Sequence, residues 1–161
     1  MIILGIDPGT ATTGYGVLDF TKKRLKYLAY GCIKTDKELS PEKRLQLIYN
    51  ELNGLIKKYR PNALSVEKVF FFKNAKTAIP VSQARGVILL AAAKKKLPVY
   101  EFTPLQVKMN IVGYGRAQKN QVQKMIKLLL DLDQIPKPDD AADALGLAIS
   151  CAYLLKKSKS S

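Results

Sequence analysis

Residues 2–6, IILGI, form an apolar run that ends abruptly at Asp7. A short run of this kind predicts a buried strand over 2–7. Residues 11–20, ATTGYGVLDF, are rich in Thr, Tyr and Val and predict a second strand. A polar turn, TKKR at 21–24, leads into a third strand over 25–35. Three consecutive strands with short connections predict an antiparallel meander. Ser40-Pro41-Glu42 then reads as a helix start, with Ser40 at the N-cap, Pro41 at the first helical position and Glu42 in the first turn. Apolar residues at 45, 47, 48, 52, 55, 56 and 59 carry that helix to Arg60-Pro61.

The remaining chain alternates. ALSVEKVF at 63–70 predicts a fourth strand, 75–97 a second helix, and VYEFT at 99–103 a fifth strand. Pro80 either kinks the second helix or marks its true start. Residues 104–117 show no clear pattern, and Gly113 and Gly115 loosen them. Two further helices are expected over 118–132 and 139–156, separated by Pro136 and Pro138. The order is βββαβαβαα. The expected fold class is α/β, with a mixed five-stranded sheet: a three-strand antiparallel meander plus parallel strands, flanked by helices on both faces. No repeat or linker interrupts it, so residues 1–156 are expected to form one domain and 157–161 a frayed basic tail.

Against this apolar frame, certain carboxylates stand out. Asp7 ends the first strand, and Glu67 ends the apolar part of the fourth. In PDDAADALGLAIS, Asp140 and Asp143 are three residues apart at the start of a helix and share a face. Each has an ordinary explanation. Asp7 could cap the turn at Pro8-Gly9, Glu67 could pair with a lysine, and the helix acids could complement the helix dipole. Together they suggest more. If the four meet, like charges repel and raise one another's pKa, and a divalent cation resolves the conflict. Oxygen donors select hard metals such as Mg²⁺ or Mn²⁺. Two such ions, about 4 Å apart, suit phosphoryl chemistry.

Charge then names the class of partner. The chain has 27 Lys and Arg against 13 Asp and Glu, a net +14, and between Lys68 and Lys127 twelve basic residues face a single acid, Glu101. That field attracts polyanions. The absence of histidine excludes histidine bases, histidine-dependent triads and histidine metal sites. Cys32 and Cys151 lie in apolar contexts and are expected to be buried free thiols. No run is long enough to span a membrane, and IILGI is too short for a secretory signal, so a cytoplasmic location is expected.

The segments GIDPGTATTGYGV, VEKVFFFKNAKTA, SQARGVILLAA, QVK, KNQVQKM and DDAADALGLAI occur in this order over nearly the whole chain. They resemble the RuvC family of bacterial Holliday junction resolvases. The resemblance implies a ribonuclease H-like fold, a homodimer, and Mg²⁺-dependent nicking of two symmetry-related strands of a four-way DNA junction, leaving 5′-phosphate ends. It implies that Asp7, Glu67, Asp140 and Asp143 are catalytic and hold two Mg²⁺ ions, with Mn²⁺ as a substitute. It implies DNA contacts for Phe70, whose neighbours Phe71 and Lys73 extend an aromatic and basic stretch, and for Lys108 and Lys119 near the scissile strand. RuvA and RuvB are the implied protein partners.

The residues support parts of this independently. Three adjacent aromatics, Phe70 to Phe72, cannot all face one core, and an exposed ring beside a lysine suits base stacking. No acid lies near Lys108 or Lys119 in the chain, which favours phosphate contacts. Asp139 is an additional acid whose membership of the cluster the sequence leaves open. SQARGVILLAAA is small and apolar on more than one side, as expected of a helix partly covered by a second subunit. Other readings remain: a ribonuclease H-like nuclease acting on RNA, a non-catalytic nucleic-acid binder, and an actin-like ATPase sharing the GIDPGT loop.

Overall fold

Strand β1 (Ile2–Asp7) is the middle of a five-stranded sheet with the order β3-β2-β1-β4-β5. Strands β2 (Thr12–Thr21) and β3 (Arg24–Lys34) pair antiparallel, as do β1 and β2. β4 (Ala63–Glu67) and β5 (Val99–Phe102) add to the other side in parallel. The computed structural model describes residues 1–68 and 75–158. The sheet is mixed, with the meander and the parallel strands expected from the sequence.

The central strand is apolar up to Asp7 because both faces are covered. Leu4 and Ile6 join Val17, Leu64 and Val66 on one face, under Leu52 and Ile56 of α1 (Pro41–Tyr59) and Ile88, Ala91 and Ala92 of α2 (Ala75–Lys94). Ile3, Leu18 and Ala63 lie on the other, under Leu145, Ala148, Ile149 and Ala152 of α5 (Asp139–Ser158). Two shorter helices, α3 (Pro104–Val112) and α4 (Lys119–Leu129), close that second core through Ile111, Val122 and Ile126. Each large aliphatic side chain fully buried here contributes roughly 1.5–3 kcal/mol.

Several local details differ from expectation. Ser40 sits at the N-cap, but its hydroxyl bonds Glu42 instead of a backbone N–H. Pro80 lies inside α2 and is not its start. β4 ends at Glu67, with residues 69 and 70 of the expected strand outside the described residues, and α2 stops at Lys94, short of 97. α5 continues through Ser158, two residues past the expected end. The segment 104–117, which showed no pattern, holds α3. Its signals are local: Thr103 accepts from the Gln106 N–H, the Gln106 side chain accepts from the Thr103 N–H, Pro104 is at the first helical position, and Gly113 ends the helix at φ 77°. Cys151 is buried, and burial pushes its thiol up to about 12; Cys32 is only half-buried. No helix among the described residues is long and apolar enough to cross a membrane.

Candidate active site

Asp7 and Glu67 end neighbouring parallel strands. Ile6 is in register with Val66, so the next residue on each strand is an acid, and both lie on the face covered by α5. α5 reaches that face because small residues let it approach. A Cβ at Gly5 would lie 2.1 Å from the Ala144 carbonyl oxygen, and one at Gly14 would lie 2.0 Å from that of Asp140. Buried Ser65 donates to the Leu147 carbonyl at 2.8 Å, fixing the helix along its length. Gly14 is the register partner of Asp7, so the close approach at Gly14 sets the first turn of α5 beside Asp7. Asp143 follows one turn later.

The electrostatics record this convergence. The Asp7 carboxyl is pushed from an ordinary 3.8 up to about 8, chiefly by burial, then by the negative charges of Glu67, Asp143 and Asp140. It also shares a hydrogen bond with Glu67. Burial raises Asp143 as well, against the pull of Lys119. Lys119 Nζ stands 3.1 Å from Asp143 Oδ2 and 3.3 Å from Asp139 Oδ2. Burial alone would lower its pKa, but these two partners outweigh it and the ammonium is held above its usual value. Cys32 is raised, first by burial and then by the charge of Asp140. Among the described residues, no three carboxylates close into a ready-made metal ligand group. The four acids interact across a shared space, and Lys119 supplies the positive charge at Asp143.

Beside them lies a cleft of about 250 Å³, bordered by Glu67, Asp143, Lys108 and Lys119. Val107, Val122, Ile126 and Leu147 form its apolar wall. α3 and α4 pack onto α5 at Gly146, where a Cβ would meet Ile111 and Val107 at 3.1 and 3.2 Å. The helix missed in the sequence therefore carries Lys108 to the cleft. The expectation that Lys119 lacks acidic neighbours is incorrect: α5 brings it two, twenty or more positions along the chain. Asp139 faces this lysine and accepts from Gln123 Nε2 at 3.0 Å. Gln123 had no distinguishing sequence signal. Phe70, Phe71 and Lys73 lie outside the described residues.

On the far side of the sheet, α2 leaves an apolar stripe uncovered. Ile79 is 64% and Leu90 55% exposed, and Gly86 and Ala93 continue the same line. Arg85, on this helix, is paired with Glu101 of β5.

The model of the family described as crossover junction endodeoxyribonuclease RuvC matches residues 3–151. A protein of that name from Thermosipho melanesiensis is 59% identical over 148 residues, covering 92% of this chain and 94% of its own. Another, from Heliobacterium modesticaldum, is 55% identical over 155 residues and 96% of both chains. Among solved structures, Thermus thermophilus RuvC in complex with a Holliday junction substrate superposes with a TM-score of 0.92 at 32% identity, covering 98% of this chain and 96% of that one.

Proposed function

The chain belongs to the RuvC family of crossover junction endodeoxyribonucleases, and from that membership we propose that it resolves four-way (Holliday) DNA junctions by paired, symmetric nicks. The observation that carries the reading is the gathering of Asp7, Glu67, Asp140 and Asp143 beside a cleft bordered by Lys108 and Lys119.

The donor set fits a hard divalent cation. It consists of four carboxylates with no histidine, and Asp7 is left near 8 by burial first and then by negative neighbours, whose repulsion a cation would offset. These four residues would hold two Mg²⁺ ions, or Mn²⁺ in their place, which when bound supply Lewis acidity at the attacking and leaving oxygens. The protein's own groups do the rest. Lys119 and Lys108 offset charge on the scissile phosphate. The apolar wall of the cleft restricts water, which strengthens those contacts. Water adds to the phosphorus as the P–O3′ bond breaks, so the 3′ oxygen leaves as a hydroxyl and the other end keeps a 5′-phosphate, a pair that a ligase can join.

Support for the wider assembly comes from surface and charge. The net charge of +14 suits a DNA partner. Phe70, Phe71 and Lys73 follow Glu67 in the chain and are assigned to bases and phosphates near the junction centre. The exposed stripe of α2 is assigned to a two-fold homodimer, which would set two identical sites against two symmetric strands. RuvA and RuvB as partners, and a cytoplasmic setting, are proposed on the ground of family membership.

The test is cleavage of a four-way junction and of matched linear duplex, each with Mg²⁺ or with EDTA. Paired nicks in the junction alone, and only with Mg²⁺, are expected. Equal cutting of linear duplex, or cutting in EDTA, would overturn the reading.

A further inference from the structure

Asp139 opens α5 one residue before Asp140, and its carboxylate is paired with Lys119 and Gln123 of α4. It is exposed, and it lies against α4. Gln123 Nε2 donates to Asp139 Oδ1 at 3.0 Å, and Lys119 Nζ stands 3.3 Å from Asp139 Oδ2. The same ammonium stands 3.1 Å from Asp143 Oδ2. One lysine is thus shared between a carboxylate of the candidate metal set and a carboxylate outside it. The charges that lift Asp7 are those of Glu67, Asp143 and Asp140.

A cation at Asp143 would neutralise that carboxylate and repel the ammonium. Asp139 is then the acid still within reach of Lys119, with Gln123 fixing its orientation. A free lysine side chain samples many rotamers, whereas a tethered one stays where the tether points it. We propose that Asp139 is a positioning residue that keeps Lys119 at the cleft mouth when Asp143 is engaged, ready for the scissile phosphate. The proposal rests on the nuclease reading above. It separates two effects that usually move together. Asp139 is an anion beside a path for DNA, so removing its charge favours junction binding while slowing the cut.

The experiment is a double-mutant cycle on single-turnover cleavage of a four-way junction at saturating protein and Mg²⁺. Asp139→Asn is expected to cut roughly three- to fivefold more slowly, the range of an exposed ion pair. Junction affinity should be equal or higher and the Mg²⁺ requirement unchanged. In a Lys119→Ala background the same change should cost nothing further. Gln123→Leu, which leaves both charges in place, should give a smaller loss in the same direction. An equal loss in both backgrounds, no loss, or a raised Mg²⁺ requirement would overturn the proposal, the last by making Asp139 a metal ligand. Failure of the unaltered protein to cut would instead overturn the nuclease reading itself.

Discussion

The buried carboxyl of Asp7 opposes folding when no cation accompanies it. Its value of about 8 in the fold exceeds the ordinary 3.8. Between those values the folded chain holds a proton that the unfolded chain has released. Stability from this group is therefore fully present below about pH 4, falls as pH rises toward 8, and is flat above. In EDTA, Asp7→Asn is expected to flatten that slope and to raise stability at pH 8 by about 0.5–2 kcal/mol. Urea melts of both proteins at pH 5 and pH 8 measure it; identical slopes would contradict the burial and repulsion assigned to Asp7. Much of this was legible from residues alone, because an apolar strand that ends in an acid is costly in any fold. The partners of Lys119 were not, since Asp143 lies 24 residues away.

At the scale of elements, the site depends on how closely α5 approaches the strand ends. Gly5→Ala places a methyl against backbone, 2.1 Å from the Ala144 oxygen, where no side chain can yield. It is expected to destabilise by about 1–3 kcal/mol and to reduce cleavage further by lifting Asp140 and Asp143 from Asp7. Gly54→Ala is the control. Gly54 is exposed on α1 with nothing within 4 Å of an added Cβ, so the change should stabilise by about 0.5–1 kcal/mol and leave cleavage alone. Denaturant melts with parallel cleavage rates check both. The element order was readable because hydrophobic period and turn residues are local. α3 escaped because its nine residues are too few for a convincing period, although its capping box and terminal glycine were present in the sequence.

For the whole molecule, the uncovered stripe on α2 is the face assigned to the proposed second copy, and the strong positive charge suits DNA. Leu90→Glu places a charge in the middle of the stripe and is expected to yield monomers that retain the fold. Sedimentation velocity with a circular-dichroism melt reads this; an unchanged dimer would move the interface elsewhere. The sequence hinted at this face through SQARGVILLAAA. Only the fold showed which residues remain exposed, because packing of α1 and the sheet on the other side decides that. The account as a whole stands on Asp7 serving chemistry and not DNA binding. The most direct measurement sets Asp7→Asn against the unaltered protein on one four-way junction, recording Mg²⁺-dependent cleavage and junction binding together. Cleavage abolished with binding retained is the predicted result; retained cleavage, or binding lost along with it, would contradict the assignment of Asp7 to the reaction.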